Sequence, residues 1–339
     1  MSTINVTTIQ HESGSGNNIV LDNQGNVVCA ADIQSTSQNG GQLAGFRNQL
    51  ISGDVSVWQR GTSFTTPNGT AIYSADRWLC NTTTSGIELE QRAQNNPPGF
   101  AYSLRTDGGS DNKSGSNLCQ SIELPGAGLP GPFALDSVWT ISYYLNAQNL
   151  TRLPVVKFMD ADSANPQNVT VSDLAVVPGY ESISVGGQTW TRYQAKVTID
   201  VAPAATNIRL RVGIYFGNDG ENIDTRRITG CQLEPGPVAT PFEHRPVGLE
   251  LSLCQRYYWT CLSLIAAPLG SSNPNDRVFV GGAFPVEMRV TPTQTYTLNN
   301  MGFSNSSFLN NKYYYVTGVS TGNSGVAGFL GDYTADAEL

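Results

Sequence analysis

The feature that most limits this chain is the run Ile208 to Phe216, IRLRVGIYF. Ile208, Leu210, Val212, Ile214 and Phe216 point one way, and Arg209, Arg211 and Tyr215 point the other. Period two over nine residues is a β-strand with one buried face. Tyr193 to Ile199 repeats the pattern, with Tyr193, Ala195, Val197 and Ile199 inward. Trp139 to Leu145 puts Trp139, Ile141, Tyr143 and Leu145 on one face. Shorter strand candidates are Ile87–Glu90, Tyr102–Arg105, Cys119–Leu124 and Val155–Met159. Turn clusters separate them at Asn95–Gly99, Asp107–Asn117, Pro125–Pro132, Ala161–Asn168 and Gly217–Glu221. Many short strands punctuated in this way make an all-β sandwich or barrel. The 35 glycines and 18 prolines supply the turns, and no helical period persists beyond a few turns.

The stretch Ile228 to Trp259 changes character. Ile228–Leu233 is a last strand, and Glu234-Pro235-Gly236-Pro237 must turn, because proline fixes φ and glycine opens the left-handed region. Thr240-Pro241-Phe242 is extended, since a residue before proline is pushed out of the α region. From Val247, Leu251, Cys254, Tyr258 and Cys261 fall on one face of a helix, with Pro246 suited to its first turn. Leu249, Leu251 and Leu253 also alternate, so a strand is the competing reading; helix is the one carried forward. Beyond Cys261 the strand candidates are Arg277–Phe284, Val286–Val290, Thr293–Leu298 and Tyr313–Val319. NNMGFSNSSFLNNK and STGNSG between them read as loops.

Residues 1–45 form a separate unit. Ile4, Val6 and Thr8 alternate with polar residues. Asn18 to Val28 reads as a hairpin about an Asn-Gln-Gly-Asn turn. This unit is too short to fold firmly alone and is expected to order against a partner.

Composition excludes several function classes. With 19 cationic and 27 acidic residues the formal charge is −8, which disfavours nucleic acid and anionic membrane surfaces. No apolar run reaches the roughly 18 residues of a membrane span, and the N-terminus lacks the pattern of a signal peptide. The expectation is a protein made and folded in a cytosol, with no membrane insertion. The six cysteines, Cys29, Cys80, Cys119, Cys231, Cys254 and Cys261, form no C-x-x-C pair and read as buried reduced thiols. If Cys254 and Cys261 shared a helix they would lie about 10.5 Å apart along its axis, beyond the roughly 7 Å that a disulfide spans.

The catalytic inventory is thin. The two histidines, His11 and His244, have no local partners that would make a triad or a transition-metal site. Paired carboxylates are the enzymatic option, and Glu88, Glu90, Glu123, Asp160 and Asp162 are the candidates. Glu88 and Glu90 share a strand face that reads more simply as solvated. The Asp107–Asn112 loop, DGGSDN, is rich in oxygen donors and offers a structural calcium site, although turn chemistry explains it as well. No other cofactor is expected.

Three segments together carry a family resemblance. QLEPGPVATPFEHRP…ELSLCQRYY, DVSVWQRGTSFTTPNGTAIYSADRW (Asp54–Trp78) and the final TADAEL (Thr334–Leu339) resemble signatures of tail-fibre and related receptor-binding proteins of tailed bacteriophages. They bracket residues 54–339. Pro246 and Leu249 depart from the pattern, which more often has polar residues there. The resemblance implies a jelly-roll-like β-sandwich, similar to many carbohydrate-binding modules. The expected order is an N-terminal virion-attachment segment (1–45), the sandwich (46–246), then a linking helix with a distal β-rich domain (247–339). It also implies a virion location, assembly in the host cytoplasm, a homotrimer, contact with other tail proteins through the N-terminus, and adhesion to host surface glycan. The alternatives are a capsid or baseplate decoration protein without a receptor role, and a capsule depolymerase.

Within that frame Trp58, Arg60, Asp76, Arg77, Trp78, Phe242, Glu243, Arg245, Cys254, Arg256 and Tyr257 are read as scaffold. Trp58 and Trp78 are expected in the core, with Asp76 and Arg77 in polar contacts at a sheet corner. Ligand contact is assigned to Phe303, Phe308, Tyr313 and Tyr315, aromatics set among Asn and Ser. A ring face stacks on a sugar, and neighbouring amides bond its hydroxyls. Tyr313 and Tyr315 share one strand face and Tyr314 the other. Packing at a subunit interface is the other reading of these aromatics.

Overall fold

A computed structural model describes residues 46–339 except 68–69, 83–85, 109–115, 147–149, 163–164, 217–224, 267–276, 297–302 and 321–328; before residue 46 it describes three short strands. These are β1 (Thr8–Ile9), β2 (Ile19–Leu21) and β3 (Val27–Cys29). β2 and β3 pair antiparallel with Ile19 opposite Cys29 and Leu21 opposite Val27. That is the hairpin expected about the Asn-Gln-Gly-Asn turn. The alternating stretch Ile4 to Thr8 lies outside the described residues except for Thr8.

The next thirteen strands form the sandwich. They are β4 (Ser63–Thr65), β5 (Ile72–Tyr73), β6 (Leu79–Asn81), β7 (Glu88–Arg92), β8 (Ser103–Asp107), β9 (Asn117–Glu123) and β10 (Val138–Leu145). After them come β11 (Val155–Met159), β12 (Gln167–Val176), β13 (Ile183–Val185), β14 (Gln188–Thr198), β15 (Arg209–Tyr215) and β16 (Arg226–Pro235). The spatial order is β4-β7-β8-β16-β10-β14-β12-β11-β15-β9-β6-β5, with β13 attached to β14. β12 carries the sheet around the corner. Its start pairs with β11, its remainder with β14, and its register breaks between Ser172 and Ala175. One layer therefore runs from β4 to β14 and the other from β11 to β5.

The inward faces meet in a single core. Trp139, Ile141, Tyr143 and Leu145 of β10 and Tyr193, Ala195 and Val197 of β14 pack with Val156, Phe158, Leu210, Val212, Ile214 and Leu118 of the opposite layer. The period-two residues of the sequence are thus the core. The chain is an all-β, jelly-roll-like sandwich. The Ala161–Asn168 turn reading covered the start of β12, which the sequence did not announce. Asp173 breaks its alternation with φ of 56°, and Val169 is its one buried residue.

The helix α1 spans Val247–Gln255 and buries Glu250 and Cys254. It is shorter than its sequence pattern suggested: Tyr258 and Cys261 lie instead on β17 (Tyr258–Ala266). The reason is composition. Tyr257-Tyr258-Trp259-Thr260 favours strand, and the strand finds a partner in β22. Pro246 is the residue before the helix rather than its first turn. The helix premise for Cys254 and Cys261 therefore falls, although Cys80, Cys119, Cys231, Cys254 and Cys261 form no disulfide. Burial pushes the Cys80 thiol up to about 12 and Cys119 up to about 11.

The remaining strands are β18 (Arg277–Ala283), β19 (Thr293–Tyr296), β20 (Phe303–Leu309), β21 (Tyr313–Ser320) and β22 (Phe329–Asp336). They make two three-stranded sheets, β17-β22-β19 and β18-β21-β20. Two expectations fail here. Val286–Val290 is not a strand; Pro285 stands just before it, bends follow, and Phe284 and Met288 turn inward. Phe303–Leu309, read as loop, is a strand, because its Asn and Ser content is paired along β21. Trp259, Phe284, Tyr314 and Tyr333 form an aromatic core, with Trp259 and Tyr314 centroids 5.0 Å apart.

Candidate functional site

The three signature segments meet at one seam, where α1 and the C-terminal residues lie against the sandwich. Arg60 places its guanidinium carbon 3.6 Å from the Tyr258 ring centroid. The same group pairs with Asp336 and Glu338, each at 3.3 Å, and with Asp76 at 3.7 Å. Asp76 accepts from the Gln59 backbone N–H at 3.0 Å and from the Gln59 side chain. Burial nonetheless pushes its carboxyl above the usual range.

Arg77, 1% exposed, pairs with Glu338, donates to the Ser121 carbonyl, and lies 3.4 Å over the Tyr257 ring. Trp78 is wholly buried and donates to the Ser52 carbonyl at 2.7 Å. Trp58 is half-buried, packs on the core edge, and donates to the Val55 carbonyl at 2.7 Å.

The second segment closes the same seam. Phe242 and His244 pack on Phe100, with centroids 5.1 and 5.4 Å from it. Glu243 accepts from the backbone N–H groups of Arg47 and Asn48 at 3.1 and 2.9 Å. Arg245 donates to the Leu50 carbonyl at 3.1 Å and pairs with Glu250 at 3.3 Å. Cys254 is buried. Arg256 pairs with Glu123 at 3.0 Å. Arg289 donates to the carbonyls of Ala337 and Glu338 at 2.8 and 3.0 Å. Every residue read as scaffold is therefore placed at this seam or in the core beside it.

Glu250 gives the seam a pH dependence. Burial pushes its carboxyl up, against the pull of the Ser52 N–H and Arg245. The folded chain takes up this proton more readily than the unfolded chain. Its contribution is therefore greatest at low pH and is lost as pH rises through the raised value. Acidifying from about pH 7 to about pH 4 should raise the thermal midpoint of the wild type relative to Glu250→Gln. A constant gap between the two would contradict this.

The carboxylate candidates are engaged elsewhere. Glu88 and Glu90 both face Arg105, at 3.6 and 2.7 Å. Glu123 lies between Arg256 and Arg289 in a cleft of about 480 Å³ also lined by Leu124, Pro125 and Ile208. Asp160 accepts from Thr206 at 2.9 Å and from Asn207, and Asp162 is exposed. Most of the DGGSDN loop lies outside the described residues. Among the described residues no group of three or more His, Cys, Asp or Glu could hold a metal ion, and no helix is long and apolar enough to cross a membrane.

The distal aromatics divide. Tyr313 opens β21 and is 58% exposed, while Tyr314 points into the aromatic core. Tyr313 stands at the β20–β21 turn beside Asn310, Asn311 and Lys312. There the Asn310 side chain caps the Lys312 and Tyr313 N–H groups at 2.8 and 2.9 Å. Asn311 and Lys312 both contact Glu287. Phe308 is opposite Tyr315 in register and Phe303 opposite Ser320. The side chains of Phe303, Phe308 and Tyr315 lie outside the described residues.

No family model and no curated protein matches the chain. Several solved structures are similar. The CBM22-1 xylan-binding domain of Paenibacillus barcinonensis Xyn10C aligns over 60% of this chain and 100% of its own, at 12% identity and a TM-score of 0.31. The enzymatically active domain of tailspike protein 4 from bacteriophage CBA120 aligns over 56% of this chain and 21% of its own, at 13% identity and 0.28. Discoidin II of Dictyostelium discoideum aligns over 66% and 78%, at 13% identity and 0.20. At such scores the fold rests on the strand order and the shared core.

Proposed function

We propose that the chain is a non-enzymatic adhesive subunit of a phage-type appendage, docked by its N-terminal end and presenting its distal sheets to a surface glycan. One observation carries the reading: Tyr313 stands exposed among amides while its neighbour Tyr314 is locked into the aromatic core. An exposed tyrosine ring has only two side-chain torsions to order, so it can stack on a sugar at low entropic cost. The seam supports it, because ion pairs and aromatic contacts hold the distal sheets to the sandwich. Several copies in one assembly would turn a weak single contact into firm attachment.

The test is an array of bacterial surface polysaccharides probed with labelled protein. Tyr313→Ala should weaken retention by at least about tenfold while leaving the thermal midpoint in place. Unchanged retention would remove the tip from the reading. Oligosaccharide released into solution would favour the depolymerase alternative.

A further inference from the structure

The outer surface of the β11–β15–β9 layer sets two cations, Lys157 and Arg211, side by side. Leu210, Val212 and Ile214 belong to the core, so Arg209, Arg211, Gly213 and Tyr215 lie on the opposite face; Arg209 and Gly213 are buried there, Arg209 donating to the Ala161 carbonyl at 3.1 Å. Register then sets Lys157 directly opposite Arg211, with Ser121 on the far side of Arg211 and Asn168 on the far side of Lys157. Like charges directly opposite each other repel and destabilise a sheet. Neither has an ion-pair partner among the described residues; the Arg211 Nε reaches Ser121 Oγ at 3.4 Å. On a chain with 27 acidic and 19 cationic residues, stability would place a carboxylate beside this pair.

The neighbouring positions along β15 are covered and limit where a ligand can reach the pair. Gly213 is the next residue of that face along β15. It is buried: a Cβ there would come 3.0 Å from Asn117 Oδ1 and 3.4 Å from Cys119 Sγ, side chains that are themselves buried. Beyond it Tyr215 lies under the Arg152 guanidinium, whose carbon is 3.4 Å from the ring centroid. Asn168 and Asn81 stand exposed at the two sides, Asn168 opposite Lys157 and Asn81 opposite Asn117.

We propose that this face binds an acidic saccharide, with Lys157 and Arg211 receiving its carboxylate or sulfate group and the exposed Asn168 beside Lys157 bonding an adjoining hydroxyl. Charge-assisted hydrogen bonds to the anion offset the repulsion between the two cations. The surrounding acidic chain favours a sparsely charged saccharide over nucleic acid, whose dense phosphates need many cations. The site is on the sandwich, apart from the Tyr313 tip, and does not depend on it.

The experiment uses the full chain on immobilised oligosaccharides of matched length: uronic-acid, sulfated and neutral. The wild type should be retained at least about tenfold better on an acidic series than on the neutral one. The uronic and sulfated arms tell which anion is read. The double variant Lys157→Gln/Arg211→Gln should lose that preference and keep or gain thermal stability. Equal retention on acidic and neutral series, or a double variant that binds as the wild type does, overturns the proposal. So does displacement by duplex DNA at lower concentration than by the acidic saccharide. Neutral binding abolished by Tyr313→Ala with no acidic preference would leave the tip reading standing and remove this one.

Discussion

Replacing Arg77 with methionine is expected to destabilise the fold by about 3 kcal/mol, and Glu338→Gln by nearer 5 kcal/mol, the span found when one partner of a buried ion pair is removed. Both side chains are buried, at 1% and 4% exposure, so neither charge can turn to water. The two costs differ because the partners left behind differ. Without Arg77, Glu338 still has Arg60 at 3.3 Å. Without Glu338, Arg77 keeps the Ser121 carbonyl and the Tyr257 ring as its strong contacts among the described residues. The pair variant Arg77→Met/Glu338→Gln should cost less than the sum by about 1–2 kcal/mol. Urea unfolding of the four proteins measures this. Single-variant losses below about 1 kcal/mol would mean that the C-terminal segment does not dock on the sandwich in solution.

What the sequence made legible follows from which interactions are local. The long strands around Ile141, Ala195 and Val212 announced themselves, because burial on one face writes period two into nearby residues. Trp78, Asp76 and Arg77 were read as scaffold for a similar reason: a large apolar group beside opposite charges seldom lies free. The corner strand β12 was hidden, since only Val169 of it is buried. The end of α1 was also hidden. Tyr258 fits a helical face by spacing, and only the distant β22 makes it a strand. The same limit applies to the outer face. Alternation puts Arg209, Arg211 and Tyr215 on one side, but that Lys157 stands opposite Arg211 is a fact of register between distant segments. The tip was half legible: alternation correctly separated Tyr313 from Tyr314, but not the strand character of Phe303–Leu309.

Trp78→Ala should be the most damaging single change in the core, at about 3–5 kcal/mol. The side chain has no exposure and belongs to the cluster that joins both layers. Two effects add. Truncation opens a cavity that the surrounding sheets, held by ladders on both sides, cannot close. It also strips the Ser52 carbonyl of its indole donor, leaving a buried acceptor with one partner fewer. Ser52 already sits at φ 52°, and its N–H is held by Glu250, so the loop has little freedom to find another donor. Trp78→Phe should therefore lose less, because it refills much of the volume while still lacking the N–H. Indole added to the alanine variant should recover part of the loss, as a dry apolar cavity accepts a ligand of matching shape. Denaturation midpoints with and without indole decide it. An alanine variant that stays within about 1 kcal/mol of the wild type would show that this corner is not packed as described. The seam built on Arg77, one residue away, would then lose its foundation too.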